Sequence, residues 1–215
     1  MPLRTRIKIC GLRREADVDA AVEAGADAIG LVFYDKSPRR VSIERAAELA
    51  RRLPAFVTPV GLFVNAAPAL IAEAVRAIPQ LVLQFHGDET PAECTAAARP
   101  YLRAARMAPG LDLVEFAARH PDARALLLDA HVEGYGGGGK VFDWSLIPRN
   151  VPCPVVLSGG LHAGNVIEGI LRVRPWAVDV SSGVEAEKGI KDAAAIRRFC
   201  EAVREADARI ASSEA

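Results

Sequence analysis

The sequence lacks the features that mark several large classes of protein. Its four cysteines are scattered, with no CxxC pair and no histidine at metal-ligand spacing, which argues against a disulfide framework and against a zinc site. No apolar run approaches the roughly 20 residues that a membrane span needs. Lys plus Arg and Asp plus Glu are 27 each, so the formal net charge is zero. We therefore expect no metal, no nucleic-acid partner and no membrane partner.

The size and the start of the sequence suggest a small cytoplasmic enzyme or binding protein. The chain has 215 residues, of which 51% are hydrophobic, enough for one well-buried core, so we expect a single domain over 1–215. The first predicted strand begins near residue 6, which leaves no room for a signal peptide. We expect a cytoplasmic protein that is either a monomer or a homodimer.

Short apolar runs alternate with alanine-rich and charged helical segments along the whole chain. This alternation is typical of parallel βαβ units, and eight strands in this pattern favour a closed (β/α)₈ TIM barrel of the α/β class. An open doubly wound sheet is the alternative, although no GxGxxG motif follows the first strand. The predicted strands lie near 6–11, 27–33, 56–64, 81–87, 102–107, 123–129, 153–158 and 177–182, and the predicted helices near 14–24, 42–52, 68–77, 91–98, 111–119, 162–173 and 192–205.

Two segments depart from the regular pattern. Between Asp143 and Pro152 there is space for only about one helical turn, because Pro148 and Pro152 interrupt it, so the sixth helix is predicted to be shortened. The tail, about 207–215, ends in small and polar residues and is predicted to be frayed.

Polar side chains collect at the predicted inward faces of the strands. In a barrel of this kind the site lies at the carboxyl ends of the strands. Taken singly, each residue has an ordinary structural explanation: Cys10 as a small buried hydrophobe, Asp129 as a turn former, a histidine as a satisfied core residue. Their recurrence on several strands favours a polar site instead. The residues concerned are Lys8, Cys10, Gln84, His86, Asp129, Asp179 and Ser181, with Arg103 as a candidate from the fifth strand.

Glycines follow the last three strands. Gly159-Gly160 and Ser182-Gly183 follow the seventh and eighth strands, where barrels of this fold commonly bind phosphate through backbone N–H groups. The glycine-rich loop 134–140 after the sixth strand is either a flexible linker or a lid that orders over a substrate.

The loop after the second strand contains Ser37-Pro38-Arg39. An arginine whose backbone follows a proline suits bidentate capture of a carboxylate, and a solvated basic loop is the equal alternative.

In these motifs the chain resembles the phosphoribosylanthranilate isomerases of tryptophan biosynthesis, over nearly its whole length. The resemblance is carried by the order and spacing of short segments: 8–11, 30–34 with 37–39, 84–87, 128–129, 136–144, 157–161 and 178–185.

The resemblance implies an Amadori rearrangement of N-(5-phosphoribosyl)anthranilate, with no cofactor. It places the catalytic base on Cys10 and the catalytic acid on Asp129, and gives Arg39 the carboxylate of the substrate. The phosphate would lie at Gly159, Gly160, Ser182 and Gly183. We expect Lys8 to favour the thiolate of Cys10, and Lys8, Gln84, His86 and Asp179 to line the substrate site.

Three rival functions stay open at this point. Indole-glycerol-phosphate synthase would require a catalytic lysine and glutamate on other strand ends, and a sugar-phosphate epimerase would require metal-binding histidines and acids. A barrel that only binds a phosphorylated ligand would need neither Cys10 nor Asp129.

Overall fold

Eight parallel strands close into a barrel in the computed structural model, which describes residues 4–108, 110–130 and 142–213. Each strand pairs with its neighbour in sequence, and Arg6–Cys10 also pairs with Ala177–Val180, which closes the sheet. This closure confirms the predicted barrel and excludes the open sheet. The strands are β1 Arg6–Cys10, β2 Ala28–Val32, β3 Thr58–Phe63, β4 Val82–Phe85, β5 Tyr101–Met107, β6 Ala125–Ala130, β7 Val155–Leu157 and β8 Ala177–Val180.

Helices connect the strands and cover the outside of the barrel. Among the described residues, no helix has the length and apolar content needed to cross a bilayer. The helices are α1 Glu15–Glu23, α2 Ile43–Ala50, α3 Pro68–Ala77, α4 Pro91–Thr95, α5 Leu113–Arg119, α6 Val166–Val173 and α7 Ala193–Ser213.

The two faces of the strands have different neighbours. Ile7 and Ile9 point outward and belong to the large apolar core between the strands and the helices. The inward face is apolar in its lower part, where Leu102, Leu127 and Val156 pack against one another. Because side chains alternate along a strand, the inward positions farther along are those that carry the polar residues. The packed interior thus becomes a polar site at the carboxyl ends of the strands.

Two helical connections are short: α4 ends earlier than the helix predicted near 91–98, and the connection after β6 is short as predicted. Thr90 and Glu93 form the capping box that opens α4, but the helix ends at Thr95, and Ala98 has a left-handed φ of 49°. After β6 the connection contains only a 3₁₀ turn, Trp144–Leu146, within the described residues. The prediction of a shortened helix between β6 and β7 is therefore confirmed.

The end of the chain differs from the prediction in two ways. An antiparallel hairpin, β9 Glu185–Glu187 with β10 Ile190–Lys191, precedes the last helix and was not predicted. Residues 207–213, expected to belong to a frayed tail, continue α7. Asp207 accepts hydrogen bonds from the backbone N–H and the hydroxyl of Thr5, at 2.9 and 2.7 Å, and Ile210 packs against the core. These contacts tie the last turns of α7 to the start of the barrel.

Candidate active site

Cys10 is the last residue of β1 and points into the mouth of the barrel. Its neighbour across the ladder is Gly30 on β2, and a Cβ at Gly30 would lie 2.5 Å from the sulfur of Cys10. Only a residue without a side chain leaves room for the thiol there, which explains a glycine in the middle of a strand. Cys10 is only 4% exposed, so it contacts the site and very little solvent.

Lys8 and Asp179 form a buried ion pair beside Cys10. Lys8 Nζ lies 2.8 Å from Asp179 Oδ1, with both side chains about one-twentieth exposed (5% and 6%). The hydroxyl of Ser158 donates to the other oxygen of Asp179 at 3.3 Å. Burial acts to lower the pKa of Lys8, but Asp179 outweighs this and the pKa is raised, so Lys8 is a fixed cation.

The thiol of Cys10 is influenced in opposite directions by its surroundings. Burial raises its pKa, Lys8 and Lys191 lower it, and Asp179 raises it. The net shift is upward from 9.0, so Cys10 is a thiol at neutral pH before substrate binds. Lys8 therefore lowers the pKa of Cys10, as predicted, but the effect of burial on that pKa is larger.

On the other side of the mouth, Asp129 at the end of β6 contacts an imidazole and a backbone amide. Its Oδ2 lies 3.1 Å from His86 Nε2, and its Oδ1 accepts from the backbone N–H of Ala130 at 3.0 Å. Gln84 Nε2 lies 3.2 Å from His86 Nδ1 and so orients the imidazole. The side-chain oxygen of Gln84 is buried and has no hydrogen-bond partner among the described residues.

A continuous series of contacts connects Cys10 to Asp129 around the mouth. Lys8 interacts with Cys10 and with Asp179, and Asp179 accepts from Ser158. The next residue, Gly159, packs so closely that an added Cβ would lie 3.0 Å from Asp129 Oδ1. The thiol and the carboxyl therefore belong to one polar rim, formed by the ends of β1, β8, β7 and β6.

The two glycine loops predicted to bind phosphate lie against each other. Gly159 and Gly160 have φ values of 80° and 67°, in the left-handed region that favours glycine. A Cβ at Gly183 would overlap the carbonyl oxygen of Leu161, so the loop after β8 packs directly on the loop after β7. Ser182 begins a 3₁₀ turn, Ser182–Val184. The lid prediction concerns 134–140, which lie outside the described residues.

Arg39 lies beside Cys10 but is already paired with a carboxylate of the protein. Its stem packs on Gly11, where a Cβ would lie 2.5 Å from Arg39 Cδ. Its Nε and Nη2 donate to the two oxygens of Glu185 at 2.7 and 2.8 Å. Arg39 is 7% exposed, which excludes the alternative of a solvated basic loop at this residue.

The prediction that β5 contributes Arg103 to the inward face is wrong. Arg103 points outward, donates to the carbonyl oxygens of Phe85 and Gly87 at 3.0 Å each, and lies over the ring of Phe116. The inward polar residue of β5 is Arg106, which follows Leu102 and Ala104 on the inner face and contacts Asp88 at 3.2 Å.

Glu185 and Lys191 are the other residues of the site that the sequence analysis missed. Glu185 follows the phosphate-loop motif, and Lys191 precedes the last helix. Lys191 Nζ lies 2.8 Å from Glu185 Oε1 and 2.9 Å from the carbonyl oxygen of Ser181. A glycine turn between two charged residues, as at 187–191, was the only sequence feature that indicated a hairpin there.

Comparison with known proteins agrees with this geometry. The N-(5'-phosphoribosyl)anthranilate isomerase of Methylibium petroleiphilum is 75% identical over 212 residues, which cover 99% of this chain and 100% of the relative. The crystal structure of phosphoribosyl anthranilate isomerase from Thermotoga maritima is 40% identical, with a TM-score of 0.86 over 94% of this chain and 99% of that one. A complex of such an isomerase with reduced 1-(o-carboxyphenylamino)-1-deoxyribulose 5-phosphate is 38% identical, with a TM-score of 0.83 over 94% and 99%.

The family comparison gives the same result along almost the entire barrel. Residues 7–202, from β1 to the middle of α7, match the family described as N-(5'phosphoribosyl)anthranilate (PRA) isomerase. The chain therefore belongs to the N-(5'-phosphoribosyl)anthranilate isomerase family.

Proposed function

We propose that this chain catalyses the isomerisation of N-(5'-phosphoribosyl)anthranilate in tryptophan biosynthesis, with Asp129 as general acid and Cys10 as general base. Family membership supports the reaction. The observation that supports the two roles is the single polar rim, on which the thiol and the carboxyl are linked by Lys8, Asp179, Ser158 and Gly159. Rival functions for a phosphate-binding barrel are disfavoured by the same family match.

The reaction begins at the ribose ring. Asp129 in its protonated form donates a proton to the ring oxygen, the bond between that oxygen and C1′ breaks, and the open chain carries a Schiff base to the anthranilate nitrogen. The contact with His86 and the hydrogen bond from the backbone N–H of Ala130 fix the carboxyl group, so that its proton can be directed at the ring oxygen.

The second step takes place at the neighbouring carbon. Cys10, as thiolate, removes the proton from C2′, and the electron pair moves toward the imine nitrogen to give an enolamine. The enolamine then takes up a proton at C1′ while the C2′ hydroxyl loses one, which gives the ketone. Since burial raises the pKa of Cys10, the thiolate forms within the occupied site, beside the fixed cation Lys8.

The two charged ends of the substrate have separate places in this proposal. The phosphate lies on the backbone N–H groups of the adjoining loops after β7 and β8, at Gly159, Gly160, Ser182 and Gly183. The anthranilate carboxylate lies against Arg39. Gln84, His86, Lys8 and Asp179 line the space between them. A cytoplasmic location, a single domain and a monomeric or homodimeric state stay predictions.

The proposal is tested by following the fluorescence of N-(5'-phosphoribosyl)anthranilate as the protein is added. We expect the signal to fall with enzyme-dependent turnover, and the Cys10→Ala and Asp129→Asn variants to lose most of that rate while keeping the melting temperature within a few degrees of the parent. Absence of turnover by the folded parent protein would refute the function. Parent-like turnover in either variant would refute the role of that residue.

A further inference from the structure

The hairpin β9–β10 carries a buried ion cluster at the edge of the mouth. Glu185 and Lys191 are cross-strand partners, so their side chains meet on one face of the hairpin. The side chain of Lys191 is 0% exposed, that of Glu185 5% and that of Arg39 9%. Three charged groups are therefore withdrawn from water, and one of them is Arg39, which we propose to bind the substrate carboxylate.

The pairing of Arg39 with Glu185 leaves part of the guanidinium for a second anion. Among the described residues, the contacts to Glu185 use Nε and Nη2, which form one edge of the planar fork. A guanidinium has five N–H donors, and the edge formed by Nη1 and Nη2 can donate two hydrogen bonds to a second carboxylate. Glu185 therefore fixes the orientation of Arg39 without blocking it.

The pairing raises an electrostatic difficulty, however. A carboxylate held at 2.7 Å neutralises the guanidinium, and a neutral pair attracts another anion only weakly. Lys191 resolves this, because it adds a second cation 2.8 Å from the same carboxylate. With two cations and one carboxylate, the cluster has a net charge of +1.

We propose that Lys191 determines specificity for a carboxylate-bearing substrate: its buried charge, transmitted through Glu185, lets the already paired Arg39 bind a second carboxylate. This inference rests on the proposed function. It predicts an alternating row of charges, Lys191, Glu185, Arg39 and the substrate carboxylate, which is neutral only when the substrate is bound.

The cluster is held rigidly enough for this role. Lys191 Nζ donates to the carbonyl oxygen and the hydroxyl of Ser181 at 2.9 and 3.3 Å, in addition to Glu185. The hairpin turn packs on the Arg39 loop, since a Cβ at Gly189 would lie 2.9 Å from the carbonyl oxygen of Pro38.

The charge of Glu185 is stabilised by its two cationic partners. Burial acts to raise the pKa of Glu185, but hydrogen bonds and charge from Arg39 and Lys191 hold it below its ordinary value, so Glu185 is an anion. Burial lowers the pKa of Lys191, and Glu185 opposes that shift.

The experiment compares the binding of two ligands by calorimetry at neutral pH. One is reduced 1-(o-carboxyphenylamino)-1-deoxyribulose 5-phosphate, and the other is the same molecule without the carboxyl group. The ratio of the two dissociation constants measures the preference for the carboxylate, independently of the phosphate. It also requires no turnover.

We expect Lys191→Gln, which removes the charge but can still donate hydrogen bonds, to weaken the carboxylate ligand by about tenfold, the size expected for one nearby charge at the effective dielectric constant of protein sites. The ligand without the carboxyl group should change by less than about twofold. Lys191→Arg should restore the preference. Glu185→Gln removes the negative charge and should leave the preference as high as in the parent or higher. Lys188→Met, an exposed lysine of the same hairpin, is the matched control and should change neither ligand.

The design separates the possible failures. If the folded parent binds neither ligand, the proposed function fails. If the parent prefers the carboxylate ligand and Lys191→Gln keeps that preference, the role of Lys191 is refuted. If Glu185→Gln lowers the preference as much as Lys191→Gln does, the cluster is a structural support and the charge argument is also refuted. Thermal melting identifies a variant that does not fold. If Lys191→Gln does not fold, Glu185→Gln decides in its place, because the charge argument requires its preference for the carboxylate to stay at least as high as that of the parent.

Discussion

The two sides of the barrel mouth are built from different kinds of interaction. On the side of Cys10, Lys8 pairs with Asp179, and Arg39 and Lys191 share Glu185. On the side of Asp129, the described contacts come from an imidazole and a backbone amide. A charged network thus surrounds the proposed base, and groups without a permanent charge surround the proposed acid.

This difference matches the opposite demands of the two proposed roles. A base that becomes an anion in a buried place needs cations that are already fixed, because an isolated buried charge is costly. An acid must keep its proton, and a lysine or arginine in direct contact would favour its ionised form. The surroundings of the two residues, and not their residue types alone, therefore support the two proposed roles.

Removing the proposed base should have the largest effect on activity. Cys10→Ala should lower kcat by about 10²- to 10⁴-fold, the range typical of a positioned acid–base group, because the variant lacks the thiolate that takes the proton from C2′. Measured kcat and KM for N-(5'-phosphoribosyl)anthranilate give the check. Thermal melting is the control, and a kcat within about twofold of the parent would contradict the assignment.

The corresponding change on the acid side should be somewhat milder. Asp129→Asn keeps an oxygen for the backbone N–H of Ala130, places an amide group against His86 and has no acidic proton. We expect a loss in kcat toward the lower end of the same range, about 10²-fold. The reason is that water can protonate the ring oxygen slowly, whereas water is a poor base for a proton on carbon such as that at C2′. If Asp129→Asn lost much more activity than Cys10→Ala, the ring-opening step would be the more demanding one and this ordering would be wrong.

The sequence was sufficient to predict the barrel, because strand and helix alternate with short connections. It was also sufficient to place Cys10, Gln84, Asp129 and Asp179 at strand ends that face inward. The alternation failed on β5, where Ala104 and Ala105 are adjacent and give no indication of which face is inside. Arg103 was chosen there, whereas Arg106 is the inward residue.

What sequence reasoning could not supply were the partners of the buried charges. Glu185 lies 146 residues after Arg39 and Asp179 lies 171 residues after Lys8, and only the closed barrel brings them together. The hairpin β9–β10 was overlooked because its strands have three and two residues, too short for a periodic pattern. The charge network around Cys10 is thus a property of the fold.

The role of the Arg39 pair can be sharpened by deleting the arginine. Arg39→Ala leaves Glu185 paired with Lys191 and removes the proposed carboxylate contact, so KM should rise by about tenfold or more, as for other charge-assisted bidentate contacts, with a smaller change in kcat. Steady-state kinetics separate the two constants. An unchanged KM would show that the substrate carboxylate binds elsewhere.

The smallest expected effect concerns the titration of the thiol itself. Asp179 raises the pKa of Cys10 and Lys8 lowers it, so Asp179→Asn should shift the titration of the thiol to lower pH, whereas Lys8→Met should shift it to higher pH. The rate of alkylation by iodoacetamide as a function of pH measures this in a Cys153→Ser background, which removes the half-buried cysteine. Peptide mapping of the alkylated protein then follows Cys10 separately from Cys94 and Cys200, which are buried as well. Because each change also removes the partner of a buried ion, the Lys8→Met/Asp179→Asn double variant tests whether the two charges act independently. If the two single variants moved the titration in the same direction, solvent entry rather than charge would control the thiol, and the contrast between the two sides of the mouth would lose its electrostatic basis.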